Sequence, residues 1–393
     1  MAAQGVRMDT NRANSTPSSN VATEEAVQTI QTSASTKKTV AASSQRNLAL
    51  DAYRGLIMIL LVSDGFGFQH LINNPVYHGI AYQFDHHWGK VVFYDLIMPA
   101  FLFMVGVAMP YAFARRTEQG ATPRDKLRHV VVRCVHLIII SEILVSIGEH
   151  RAHLEVHNTL FVVAITYFTC YLLMRLDWWK QAAVAAVLLV LHSAVYLLFP
   201  GPGGAFTQLT SAGARLDRFL GLAPFNYPYL CVTFNLVAEV PSVLFGVWVG
   251  NLLRSGKPLA QQMKTMALSM VAAFALGLAF SPLVPLNKWL WTATYTLYTT
   301  GWSILGLLIL YLLVDVFGIR RPLFFLTVVG MNSLFVYCVG EILRGWINDS
   351  IAVFTSGFKF IGVLAPVAQS CTVLLVIWYV TYWLYQRKIF LRA

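Results

Sequence analysis

Charge is what this chain has least of. Only 12% of its 393 residues are Asp, Glu, Lys or Arg, against about 25% in a soluble domain. A surface so poor in charge cannot be kept wet, which excludes a soluble globular enzyme. Cysteine is scarce too. The five are Cys134, Cys170, Cys231, Cys338 and Cys371. None forms a CxxC and four lie in apolar stretches, so they read as small buried hydrophobes, and neither a metal site nor a redox pair is expected. No internal repeat is visible, which weakens an inverted-repeat transporter.

What is abundant is apolar sequence. The hydrophobic fraction is 57% and the mean hydropathy +0.60. A membrane helix needs about 20 apolar residues. Ten stretches qualify, roughly 48–69, 92–114, 129–148, 157–175, 179–199, 236–253, 264–281, 292–314, 323–343 and 361–385. The expected fold is an all-α, polytopic membrane helix bundle of about ten spans, with 200–235 as one long loop. Residues 1–46 are rich in Ser, Thr, Ala, Gln and Asn and read as a disordered cytoplasmic tail. Residues 47–393 form the transmembrane domain. The tail lacks an apolar core followed by a small-residue cleavage site, so it is not read as a secretory signal.

The net charge of +11 is distributed by side. With a cytoplasmic N-terminus and ten spans, 20 Lys and Arg fall on the inner side, 7 on the outer side, and Arg54 and Arg133 within helices. That bias places both termini in the cytoplasm. It accounts for the basic balance without nucleic acid, for which basic residues interleaved with aromatics on one face are absent.

This topology sorts the polar residues by depth. Asp64, His86, His87, Trp88, Asp95, Glu142, Glu239, Asn287, Lys288 and Glu341 collect on the outer side. An ionisable group at the centre of a membrane helix costs about 2.5 kcal/mol or more, so such a cluster points to function. Several members also have structural readings. Asp51 and Arg54, at i,i+3 near the inner end of the first helix, either pair structurally or line a substrate entry. Glu341 and Arg344 share that spacing. His136 and His192 read as hydrogen-bonded core residues. His150, His153 and His157 invite a metal, but they share a short loop with Glu149, Arg151 and Glu155 and read better as solvated. The pair hardest to assign to structure is His86 with Asp95. Imidazole changes charge between about pH 5 and 8, and a carboxylate beside it would fix its tautomer.

Four stretches carry a resemblance: Leu50-Asp-Ala-Tyr-Arg-Gly-Leu56; Trp88-Gly89 with Asp95-Leu-Ile-Met-Pro99 and Phe101-Leu-Phe-Met-Val-Gly106; Pro285-Leu-Asn-Lys-Trp-Leu-Trp291; and Gly330-Met-Asn-Ser-Leu-Phe-Val-Tyr337. In this order the chain resembles the transmembrane acetyltransferases typified by heparan-alpha-glucosaminide N-acetyltransferase and their bacterial relatives. The resemblance implies transfer of an acetyl group from cytosolic acetyl-CoA to an amino sugar or glycan across the membrane. The family's active histidine stands ten residues ahead of the aspartate, whereas His86 is nine ahead of Asp95 and His87 eight. The match of Gln83-Phe84-Asp85-His86 to the bacterial relatives puts the role on His86, with His87 as substitute. The family's asparagine near the outer end of the first helix is replaced by Ser63-Asp64, which leaves a different acceptor open.

The chemistry implied is acyl transfer to a neutral amine. His86 takes the proton as the amine attacks the thioester, or is acetylated first. Asp95 holds the ring, and Asn332 or Asn287 donates to the oxyanion. Glu239, Asp64 and Trp88 line the acceptor side, and Arg54 meets coenzyme A phosphates from the cytoplasm. The expected partners are the lipid bilayer, acetyl-CoA and the acceptor, with a homodimer open. The expected place is the cytoplasmic (inner) membrane, because no large domain precedes the first helix. Two other classes stay open: a proton-coupled small-molecule or lipid-carrier transporter, which wants charges along a path, and a non-catalytic family member.

Overall fold

The computed structural model describes residues 48–148, 150, 152, 156, 158–222, 232–355 and 361–391. The expectations for the tail, for His153 and for His157 lie outside them. Among the described residues the chain is a helix bundle, with one isolated bridge between Gly201 and Gly204 as its only β pairing.

Seven helices are long and apolar enough to cross a bilayer. They are α3 (Ile97–Glu118, entered through a 3₁₀ turn at Phe93–Leu96), α4 (Pro123–Gly148), α6 (Trp178–Leu198), α8 (Val232–Arg254), α9 (Leu259–Ala279), α10 (Ala293–Tyr311, continued by a π turn over Leu312–Val316) and α14 (Ala365–Gln386). An eighth is broken. α11 (Phe324–Met331) and α12 (Ser333–Ile342) meet at a 79° bend around Asn332. Two expected spans are short: α1 (Leu48–Val62) and α5 (Thr159–Leu173) have 15 residues each. The first does not run on to residue 69, because the backbone turns left-handed at Asp64, Gly65, Phe66 and Gly67 (φ 49°, 64°, 52° and 76°). Three short helices complete the chain: α2 (His78–Gln83), α7 (Ala212–Phe219) and α13 (Arg344–Thr355). The expected long loop at 200–235 is thus interrupted by α7, which Ser211 starts by accepting from the Ala214 amide at 3.4 Å.

Local chemistry sets the helix starts. Thr122 and Asp125 form a reciprocal capping box ahead of α4, with Pro123 at the first helical position. Asn158 accepts from the Leu160 amide at the start of α5. Outer faces show the solvent these helices want. Val131, Val135, Ile139, Ile143 and Ile147 recur every fourth residue along α4, all about half exposed. An aliphatic stripe of that length suits lipid and not water. His136 lies on the exposed side of the same helix, so the core reading fails there; His192 is fully buried, against Tyr196 and Phe234.

Glycines set the closest helix approach. A Cβ at Gly106 of α3 would lie 2.0 Å from the Val243 carbonyl oxygen, and one at Gly246 of α8 would lie 2.0 Å from that of Phe103. Only glycine permits this backbone contact. It places the start of α3 beside α8 and α10, where the candidate site forms.

Candidate active site

The site is built from three segments that meet at one end of the bundle. The first is the loop after α2, bearing His86 and His87. The second is the 3₁₀ entry to α3, bearing Tyr94 and Asp95. The third is the turn between α9 and α10, bearing Asn287 and Lys288.

Asp95 is held first. Its side chain is 1% exposed, Oδ2 accepts from the Val92 amide at 3.1 Å, and its carbonyl accepts from the Tyr295 hydroxyl. The carboxylate therefore caps its own helix and points the other oxygen into the site. Nδ1 of His86 lies 2.7 Å from that Oδ1. With the proton on Nδ1, His86 donates to Asp95 and keeps a lone pair on Nε2. Tyr94 stacks on the imidazole at 5.0 Å, and Trp289 meets it edge-on at 5.7 Å. The missing residue in the spacing is absorbed by the loop, which still delivers His86 to Asp95.

Lys288 completes the cluster, and sequence reasoning gave it no role. Its Nζ is 2.9 Å from Nε2 and 3.0 Å from Nδ1 of His86, and 3.3 Å from Oδ1 of Asp95. Near-equal distances to both ring nitrogens put the ammonium against the imidazole. Burial holds Lys288 below the ordinary lysine range, against the opposing pull of the Asp95 carboxylate. The signal in the sequence was Lys288 in an apolar turn between two spans, inside one of the four stretches that carry the resemblance.

Asn287 makes that turn. Its Oδ1 accepts from the amides of Trp289 (2.9 Å) and Leu290 (3.3 Å), and its own amide donates to Thr292 Oγ1 at 3.1 Å. The turn ends at Trp291, a non-glycine residue at φ 43° whose buried Nε1 has no hydrogen-bond partner among the described residues. Strain of this kind costs about 1–3 kcal/mol and clusters at working sites. Asn287 thus presents Lys288, and its side-chain oxygen is committed. Trp88 packs with Leu290 and Tyr196, holding the histidine loop against the same turn.

The other expected residues are placed differently. His87 faces away from Asp95: it stacks on Tyr82 at 3.9 Å and its Nε2 meets the Tyr82 carbonyl at 3.2 Å. Asp64 pairs with Arg344, whose i,i+3 spacing to Glu341 had left a salt bridge there as one of two readings. Tyr94 lies between this pair and the site: it is near enough to Asp64 and Arg344 to feel both charges, while its ring stacks on His86. Glu239 is 4% exposed, and its Oε2 has no partner among the described residues. Tyr295 lies near both Glu239 and Asp95. Asn332 makes no hydrogen bond to the His86 cluster among the described residues. Its amide donates to the Ile389 carbonyl at 3.1 Å and its Oδ1 accepts from the Leu391 amide at 2.9 Å, so it secures the C-terminal segment to the bend. Arg54 lies 3.7 Å from Asp51 and 3.5 Å from the Gly330 carbonyl, tying α1 to α11.

Residues 46–207 match the model of a domain of unknown function, DUF5009. The chain is 24% identical over 374 residues to the heparan-alpha-glucosaminide N-acetyltransferase of Mus musculus, covering 77% of this chain and 54% of that protein. It is 23% identical over 368 residues to the protein of that name from Homo sapiens, covering 76% and 53%. The chain thus spans about half the length of the curated relatives it matches.

Proposed function

We propose that this chain, a distant relative of the heparan-alpha-glucosaminide N-acetyltransferases, is a membrane acyltransferase. It moves an acetyl group from cytosolic acetyl-CoA to an amine on a sugar or envelope glycan at the far side of the membrane. The observation that carries the reading is the contact of His86 and Asp95 with Lys288, which reaches them from about 200 residues further along the chain.

Each group has a task in acyl transfer. The acceptor nitrogen attacks the thioester carbonyl carbon, and a C–N bond forms. His86 Nε2 takes the proton shed by the nitrogen, while Asp95 steadies the resulting imidazolium. Negative charge gathers on the carbonyl oxygen, where the Lys288 ammonium meets it. The C–S bond then breaks, and the proton passes from His86 to the departing sulfur. At the opposite end of the bundle a cavity of about 300 Å³ is lined by Lys126, Arg175, Phe113 and Tyr171. Two cations and two rings suit the phosphates and base of coenzyme A. That end also carries the inner basic excess, which supports entry of the donor from the cytoplasm.

The test is purified protein with radiolabelled acetyl-CoA, with and without glucosamine. Acetylated sugar that disappears in His86→Ala supports the reading. Label retained on the wild-type protein and lost in that variant identifies an acyl-histidine route. Neither signal with any amine or hydroxyl acceptor overturns the enzyme reading in favour of transport.

A further inference from the structure

Asp95 and Lys288 meet across the front of the site, and a second set of contacts joins the same two segments from behind. Four residues on from Asp95 stands Pro99, which has no N–H to give. The Asp95 carbonyl therefore lacks the donor that a helix would supply. The Tyr295 hydroxyl of α10 donates to that carbonyl instead. The proline and the tyrosine form one device: the first frees a backbone oxygen, and the second takes it up.

The turn that bears Lys288 is held in the same way. Nδ2 of Asn235, on α8, donates to the Trp289 carbonyl at 3.2 Å. The two holding residues are themselves joined. Thr296, next to Tyr295 on α10, donates its hydroxyl to the Ala238 carbonyl at 3.2 Å, one turn of α8 beyond Asn235. Tyr295, Thr296 and Asn235 are all buried, where water cannot replace a missing bond. The contacts close a ring. It runs from the Asp95 carbonyl through α10 and α8 to the Trp289 carbonyl, and returns through the 3.3 Å approach of Lys288 to the Asp95 carboxylate.

We propose that Tyr295 and Asn235 are positioning residues, which hold the segments bearing Asp95 and Lys288 at the separation where both side chains reach His86. This rests on the acyltransferase reading and adds to it the residues that set its geometry. Neither side chain takes part in the reaction, since each acts through a backbone carbonyl. A shift of about 1 Å in such a site can cost about 10²-fold in rate.

The experiment compares Tyr295→Phe, Asn235→Ala and the double variant as full chains in detergent. It reads acetyl-transfer kinetics, the melting midpoint, and the NMR signal of the His86 Nδ1 proton in chain carrying isotope-labelled histidine. That signal is assigned by its loss in His86→Ala. Tyr295→Phe keeps its ring edge-on to Trp291 at 5.4 Å, lowers kcat about tenfold or more with KM retained, and shifts or broadens the His86 signal. Asn235→Ala lowers kcat in the same way. The double variant loses about as much as the worse single one, because both act on one distance. Losses that multiply mark two unrelated lesions and overturn the proposal. Tyr53→Phe is the control. It removes a buried hydroxyl that donates to the Ser303 carbonyl at 3.0 Å, so it lowers the midpoint comparably but leaves rate and signal unchanged. If Tyr295→Phe behaves as Tyr53→Phe does, the positioning role is overturned while the enzyme reading stands. If no chain acetylates glucosamine yet the His86 signal moves in Tyr295→Phe and not in Tyr53→Phe, the positioning stands and the enzyme reading falls.

Discussion

Lys288 sets its ammonium 2.9 Å from Nε2 of His86, across 202 residues of sequence. This half-buried amine is held there by the Asp95 carboxylate 3.3 Å away. The arrangement places a positive charge beside the nitrogen that must accept a proton, which is useful only if a negative charge develops nearby.

Removing that charge tests the role. Lys288→Met lowers kcat about 10²–10³-fold, the usual cost of one oxyanion donor. Wild-type activity also falls on the alkaline side, at a pH below the ordinary lysine range of about 10.4. The sign follows from burial, which lowers the Lys288 pKa, so the ammonium is present below that value and lost as pH rises through it. Between the folded and unfolded values the unfolded chain binds more protons, so this group makes the fold more stable as pH rises there. The decline in rate therefore precedes any unfolding due to Lys288. A pH–rate profile recorded alongside melting curves checks both, and coincident loss of rate and fold would contradict the assignment.

Asp95→Asn tests the orientation of the ring. The new side chain can still accept from the Val92 amide, so the entry to α3 survives. Its NH₂ donates to Nδ1 of His86, however, and moves the imidazole proton to Nε2, where it blocks base catalysis. The expected outcome is a fall in kcat of about 100-fold or more with an unchanged melting midpoint. Activity within a few-fold of wild type would remove Asp95 from the mechanism.

His87 gives the opposite expectation. Its ring lies on Tyr82 at 3.9 Å and turns away from the carboxylate. His87→Ala therefore keeps acetyl transfer within a few-fold of wild type, whereas His86→Ala loses about 10²–10⁴-fold. Equal losses from the two variants, measured under saturating substrate, would return the assignment to the open choice between neighbouring histidines.

The bundle was legible because lipid imposes long apolar runs, and seven of the ten expected spans are continuous helices. The break at Asn332 was not legible, since the surrounding residues are apolar and the bend depends on what Asn332 bonds 57 residues away. The early end of α1 had a visible cause in Asp64-Gly65-Phe66-Gly67, but the alternating glycines were outweighed by the apolar run before them. In the site, His86 and Asp95 could be paired from spacing because they share one loop. Lys288 could not, because its partners arrive through the packing of α3, α8 and α10. The Asp64–Arg344 pair was missed for the opposite reason. Local i,i+3 geometry offered Glu341 as one partner, and the left-handed turn after Val62 brings the Asp64 carboxylate to Arg344 instead.

The helix contact behind the site can be tested by adding one methyl group. Gly106→Ala or Gly246→Ala places a Cβ about 2.0 Å from a backbone oxygen of the facing helix. Backbone cannot swing aside as a side chain can, so α3 and α8 must separate. Overpacking of this kind costs about 1–3 kcal/mol, read as a lower thermal midpoint in detergent. Activity should fall further than stability, because Asp95 sits in the 3₁₀ entry to α3 while Asn235 of α8 donates to the Trp289 carbonyl in the turn that carries Lys288. Separation of the two helices draws the carboxylate from the ammonium. Gly79→Ala is the control, with nothing within 4 Å of its new Cβ, and it leaves both midpoint and rate unchanged. If Gly106→Ala lowers the midpoint but leaves kcat intact, the helix contact supports the fold without setting the distance between Asp95 and Lys288.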